Sequence, residues 1–196
     1  MNHTVNVLHR QQIFKRFVFQ IDELKLQHER YDGSMSAEIT RLVLNRGDSV
    51  AMLLHDPETD EVLLCEQFRA PTIDKGPGWL MELPAGVVEA GEDPEECARR
   101  EAIEEVGYSP KVLRKIACVY LSPGGSSERI CVYYAEVSLS DQIGAGGGLI
   151  EEGEDIRLLR MPVADVIAKA EAGEIDDAKT LIAVQWLQLK KTTGGL

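Results

Sequence analysis

GVVEAGEDPEECARREAIEEVGY, from Gly86 to Tyr108, reads as a glycine loop that runs into an acidic helix. Asp93 followed by Pro94 predicts a helix start, with a short acid to cap free N–H groups and a proline where no donor is needed. Glu96 is placed to close a capping box, and Gly107 to stop the helix in a left-handed turn. Between these ends, Ala98, Ala102, Ile103 and Val106 predict an apolar arc that packs on a sheet. Glu101, Glu104 and Glu105 stand at i, i+3 and i+4, so their side chains share an adjoining stripe. Acids pressed against a core edge cost stability unless something positive neutralises them. Two readings fit: a solvated face paired with Arg99 and Arg100, or a divalent-cation site, because hard cations take carboxylate and carbonyl oxygens.

Outward from this helix, WLMELPAG leads into it from the Gly/Pro loop PTIDKGPG. SVAMLLHD and EVLLCEQFRA, joined by PETD, predict a hairpin. RFVFQIDELKLQHE and MSAEITRLVL, around the turn YDGS, predict another near the N-terminus. Downstream, VLRKIACVYL and ICVYYAEVSL predict strands separated by SPGGSSER, and GAGGGLIEEGED predicts a flexible acidic loop. MPVADVIAKAEAG and DDAKTLIAVQWLQLKK have helical spacing, the second with basic residues in its last turn. Strands mixed with helices in the middle and at the end predict an α/β fold with a sheet covered on both faces.

At 196 residues the chain has room for one core and a small appendage. Its 33 acidic against 21 basic residues give a net charge of -12, which repels nucleic acid and anionic membrane surfaces. An anionic substrate therefore needs a cation or a local basic patch. Cys65, Cys97, Cys118 and Cys131 form no C-x-x-C pair, which predicts free buried thiols in a reducing compartment. With no apolar h-region at the N-terminus and no spanning apolar run, the expectation is a cytoplasmic protein.

The spacing G-x5-E-x7-R-E-U-x-E-E-x-G-U resembles the signature of the Nudix hydrolases. Gly86, Glu92, Arg100, Glu101, Glu104, Glu105, Gly107 and Tyr108 match it, with Ala102 as a small version of the usual aliphatic residue. The resemblance implies a Nudix α/β/α sandwich with a mixed sheet, over residues 46–196, and an N-terminal antiparallel β region, residues 1–45, used in dimerisation and substrate contact. It implies cleavage of a diphosphate linked to another moiety. Glu101 and Glu105 are then metal ligands with the Ala85 carbonyl, Glu104 a further ligand or support, and Arg100 the group that orients the glutamates. Mg²⁺ is the implied cation, and Mn²⁺ suits the same donors. A nucleotide-binding module of the same fold without hydrolysis is the rival, and such modules are expected to lose box glutamates that this chain keeps.

From about Phe17 to Leu189 the chain resembles the branch that contains ADP-ribose pyrophosphatases and GDP-mannose hydrolases. Pro123 sits where the ADP-ribose group carries its diagnostic proline, and Phe17, Arg41, Arg69 and Glu128 match substrate-contact positions of that group. Taken residue by residue, Phe17 reads equally as core, Arg41 and Arg69 as surface ion pairs, and Glu128 as a partner of Arg129. The glycine run of GAGGGLIEEGEDI is more similar to the GDP-mannose group, so both substrates stay open. In LIEEGEDI the resemblance places a catalytic base at Glu152, with Glu151 adjacent, and a metal-binding carboxylate at Glu154. It also implies a homodimer in which Phe17 and Arg41 complete a partner's pocket.

Overall fold

The structure, a computed structural model, describes residues 3–195, apart from the side chain of Glu152. In chain order its elements are β1 (Val5–Arg16), β2 (Phe19–His28), β3 (Ile39–Asn45), β4 (Ser49–Asp56), β5 (Glu61–Phe68), β6 (Trp79–Glu82), β7 (Ala85–Val87), α1 (Pro94–Val106), β8 (Arg114–Tyr120), β9 (Arg129–Glu136), β10 (Arg157–Pro162), α2 (Val163–Glu171) and α3 (Ala178–Thr193). They form two compact units, a smaller one through Gly47 with Tyr120–Arg129 and a larger one of Asp48–Val119 with the chain from Ile130 onward.

The larger unit is built on a sheet ordered β10-β5-β4-β9-β8. β4 runs parallel to β9 and antiparallel to β5, which makes the sheet mixed. β4 is buried along its whole length and apolar from Val50 to Leu54, because both of its faces are covered. Val50, Met52 and Leu54 join Cys97, Ala98, Ala102 and Val106 of α1 in one core layer. Ala51 and Leu53 join Val163 and Val166 of α2 and Ala183, Val184 and Leu187 of α3 in the other. The small side chains of Ala98 and Ala102 let α1 lie close to the sheet. Ile103, expected in that arc, is 37% exposed, because the next step of the helical spiral carries it past the contact line towards solvent.

A split in the sheet creates the site. β4 and β5 pair only beside their turn, at Leu54–Leu63, His55–Val62 and Asp56–Glu61. Beyond it, β6 pairs with β5 from Cys65–Glu82 to Phe68–Trp79, while β7 pairs with β4 from Ala51–Ala85 to Ser49–Val87. Glu82, Leu83, Pro84 and Ala85 therefore cross between the diverging strands, under α1.

The smaller unit is an antiparallel sheet of β1, β2 and β3. The expected hairpin is β2 and β3; β1 precedes it and was not legible, because all twelve of its residues are exposed and no buried face imposes a pattern. Tyr120–Arg129 belongs to this unit through β3, with Leu44 donating to the Gly125 carbonyl at 2.8 Å and Ser127 to that of Leu44 at 3.0 Å. Two further expectations are corrected. Cys118 and Cys131 are not free thiols but bonded to each other across β8 and β9, where neighbouring strands bring residues 13 apart in sequence side by side; Cys65 and Cys97 are free and buried. β10, read as no element, is an edge strand on β5 whose six residues include Arg157 and Arg160. Among the described residues, no helix is long and apolar enough to cross a membrane.

Candidate active site

Helix α1 starts at Asp93 and stops at Gly107 as expected, while Glu96, expected to close a capping box, turns instead to Arg99. The Asp93 carboxylate accepts from the Glu95 N–H at 2.8 Å, and Gly107 closes the helix at φ 77°. Glu96 pairs with Arg99 at 3.6 Å, and Arg99 also donates to the Pro110 and Lys111 carbonyls beyond the helix end. The acidic stripe is not a solvated face: Glu101 is 8% exposed and Glu105 is 1% exposed.

Arg100 gathers the box. Its Nε and Nη2 reach the two oxygens of Glu92 at 3.0 and 3.2 Å, and its Nη1 donates to Glu101 at 2.8 Å and Glu104 at 3.1 Å. The guanidinium pulls the Glu92 carboxyl down to about 2, helped by the Glu89 N–H. Glu101 behaves in the opposite way. Burial raises it to about 7 against the pull of Arg100, and the charges of Glu104 and Glu154 push it the same way. Burial raises Glu105 to about 8, with Glu101 and Glu154 adding to the rise, while the Ala85 N–H and Arg69 oppose it. The Ala85 N–H donates to Glu105 Oε2 at 2.9 Å.

Gly86 is required by proximity. A Cβ built there meets Glu101 Oε1 at 1.8 Å and its Cδ at 2.0 Å, so any side chain expels the carboxylate from its place.

The acidic loop is anchored where flexibility was expected. Gly147 and Gly148 donate to the Glu105 and Glu104 carbonyls at 2.9 and 3.0 Å, and Ile143 and Gly144 to that of Gly107. The glycine run thus caps the exposed carbonyls at the end of α1, and at Gly146, φ 68°, a Cβ meets the Glu105 carbonyl oxygen at 2.5 Å. Past this anchor, Ile150–Glu152 forms a 3-10 turn. Glu154 accepts from the Leu149 N–H at 2.9 Å, and its charge is felt at both Glu101 and Glu105. The backbone of Glu152 lies in that turn; its side chain is outside what the structure describes. Glu151 is exposed.

Arg69, just past β5, donates through Nε to Glu82 at 2.6 Å. Glu82 is fully buried and was missed in the sequence, where it reads as one polar residue in the apolar run WLMELP. Phe17, Arg41 and Glu128 belong to the smaller unit. Phe17 is not core: it sits 82% exposed in the β1–β2 turn at φ 53°. Arg41 bonds to the Thr40 carbonyl at 2.8 Å, and Arg46 lies 3.8 Å from Glu128.

Among the described residues, no three His, Cys, Asp or Glu side chains are already gathered as a closed metal cage. The donor set nonetheless fits a hard divalent cation. Glu101 and Glu105 are buried, Glu154 is half-buried, and the Glu154 charge pushes both of the others up despite the Arg100 contact to Glu101. Such a cation keeps several waters and needs only one or two carboxylates.

Residues 45–184 match the NUDIX domain, and the chain belongs to that family. It is 39% identical over 186 residues to an ADP-ribose pyrophosphatase of Escherichia coli strain K12, an alignment covering 94% of this chain and 88% of that protein. It is 41% identical over 149 residues to a GDP-mannose pyrophosphatase of Citrobacter koseri, covering 75% of this chain and 76% of that one. A crystal structure of an ADP compounds hydrolase superimposes with a TM-score of 0.72 at 18% identity, over 98% of this chain and 97% of that one, and it shares the fold.

Proposed function

We propose that this chain is a divalent-metal-dependent hydrolase of nucleoside diphosphate sugars, acting foremost on ADP-ribose to give AMP and ribose 5-phosphate. One observation carries the substrate: the likeness to an ADP-ribose pyrophosphatase extends over 94% of the chain and so includes both units. GDP-mannose is the second reading, favoured by the 41% identity to a GDP-mannose pyrophosphatase over 75% of the chain. A panel of nucleoside diphosphate sugars with Mg²⁺ tests the order. The highest kcat/KM is expected for ADP-ribose, and a higher value for GDP-mannose reverses the assignment.

In this reading Glu101, Glu105 and Glu154, with the Ala85 carbonyl, hold the cation, and Glu104 supports them. When bound, Mg²⁺ (Mn²⁺ suits the same oxygens) supplies neutralisation of diphosphate charge and acidification of water. Arg100 fixes Glu92, Glu101 and Glu104, so the stripe is oriented before substrate arrives. Arg69 offers its guanidinium to the diphosphate. Glu152 takes the proton of the attacking water as its oxygen bonds to phosphorus and the P–O bond of the anhydride breaks. Anchoring of the glycine run to α1 leaves the short turn at Ile150–Glu152 as the part that closes over substrate.

Phe17 supports a role in base stacking: the two-residue turn between the paired Arg16 and Phe19 holds its φ at 53° and presents the ring to solvent, 82% exposed. Arg41 and Glu128 complete the proposed nucleotide contacts. We further propose a homodimer formed through the N-terminal region, residues 1–45. The exposed Val5, Val7, Ile13, Phe14, Phe19 and Leu42 make its sheet an apolar surface suited to a second copy. A cytoplasmic location belongs to the same reading, with the free thiols of Cys65 and Cys97 in its favour; the Cys118–Cys131 bond argues for an oxidising compartment.

Two expected results follow from the geometry. Gly86→Ala expels the Glu101 carboxylate and should lower the hydrolysis rate by about 10²-fold, with Tm held within about 4 °C. An unchanged rate removes Glu101 from the site. The second concerns pH. Folding raises Glu101 to about 7 and Glu105 to about 8, so the metal-free folded state retains protons that the unfolded chain has already lost. The stability these two groups contribute is therefore fully present below the unfolded carboxylate range and is lost as pH rises through these values. A cation favours the ionised carboxylates. The gap in Tm between Mg²⁺ and chelator should thus widen from about pH 5.5 to about pH 8.5; a gap independent of pH contradicts the ligand assignment.

A further inference from the structure

Behind Arg69 stands a buried ionic cluster. Glu82 is 1% exposed and Lys179, in the first turn of α3, is 7% exposed. Glu82 accepts from Arg69 through Oε1 at 2.6 Å and from Lys179 Nζ through Oε2. Lys179 Nζ also lies 3.0 Å from Asp177 Oδ1. Asp177 caps α3 by accepting from the Thr180 N–H at 2.9 Å, and Thr180 Oγ1 accepts from the Leu83 N–H at 2.8 Å. The start of α3 is thereby fastened both to Glu82 and to the residue that follows it.

A buried ammonium at the positive end of a helix is disfavoured by desolvation and by the helix dipole. Its effect on Arg69 gives it a purpose. Arg69, Glu82, Lys179 and Asp177 together carry no net charge. Without Lys179 the cluster is negative, beside Glu101 and Glu105, and both Glu82 oxygens are open to a bidentate clamp on Arg69. With Lys179 holding Oε2, Arg69 bonds to Glu82 through Nε, and its side chain stays 39% exposed.

We propose that Lys179 is a positioning residue: by occupying one oxygen of Glu82 it restricts Arg69 to a single contact and keeps its terminal nitrogens for an anionic diphosphate. This rests on the substrate class proposed above and assigns part of its recognition to the start of α3, behind Arg69.

The test is calorimetric binding of the uncleavable α,β-methylene analogue of ADP-ribose, in Mg²⁺, to full-length wild type, Lys179→Met, Glu82→Gln and the double variant. Lys179→Met is expected to bind about 10–100-fold more weakly. The double variant should bind as Glu82→Gln alone does, since a neutral side chain cannot clamp Arg69 and Lys179 then has nothing to restrain. Wild-type affinity in Lys179→Met overturns the proposal, as does a double variant weaker than Glu82→Gln by the same factor as the single change. If Lys179→Met does not fold, Lys179→Ala, which leaves room for water at Glu82 Oε2, takes its place in both comparisons with the same two outcomes. Failure of the wild type to bind the analogue removes the substrate reading and this inference together; binding that ignores Lys179 removes only the inference.

Discussion

Glu105→Gln should lower kcat by about 10³-fold while leaving the protein folded. The rate loss follows from the cation's share of transition-state stabilisation, several kcal/mol, at about 1.4 kcal/mol per decade. The intact fold follows from the local geometry. Glu105 Oε2 accepts from the Ala85 N–H, and a glutamine oxygen of the same shape accepts that bond equally well. Neutralising the position also relieves the repulsion from Glu101 and Glu154, so the metal-free variant at pH 8 should melt no lower than wild type. Steady-state kinetics with thermal melting checks both halves, and full activity in Glu105→Gln removes Glu105 from the cation site.

Glu152→Gln is expected to lower kcat by roughly 10²–10⁴-fold with little change in KM, because loss of a base leaves cation and substrate positioning intact. Glu151→Gln is the control. Both residues lie in the one-turn segment past the anchored glycine run, so a slip of one residue moves the base between them. A near-wild-type Glu152→Gln beside a collapsed Glu151→Gln moves the base to Glu151 and leaves the reaction class standing. If neither change matters, the base is elsewhere or the attacking water needs none.

The parts legible in the sequence are those where local chemistry and burial agree. Asp93, Pro94 and Gly107 set the ends of α1 by rules internal to a helix. The apolar runs of β4 and β5 announce a strand pair covered on both faces. What was illegible depends on partners far away in the chain. β1 has no buried face to imprint a period, and β10 is a short edge strand carrying arginines. Glu82 and Lys179 are 97 residues apart and each is ordinary alone; only the split between β4 and β5 brings α3 beneath the site. GAGGGLIEEGED reads as a flexible acidic loop, yet the N–H groups of its glycine run satisfy carbonyls at the end of α1, an obligation no local pattern reveals. Among the box residues, the sequence located the carboxylates, while their burial and their division of Arg100 required the fold.

³¹P NMR of ADP-ribose incubated with the protein and Mg²⁺, with a parallel sample in excess chelator, decides whether the chain catalyses metal-dependent cleavage of the diphosphate. Loss of the two anhydride resonances, with two phosphomonoester resonances rising in equal amounts as AMP and ribose 5-phosphate, is expected with Mg²⁺ and not with chelator. Anhydride resonances that persist with Mg²⁺, or that vanish equally fast in chelator, contradict it.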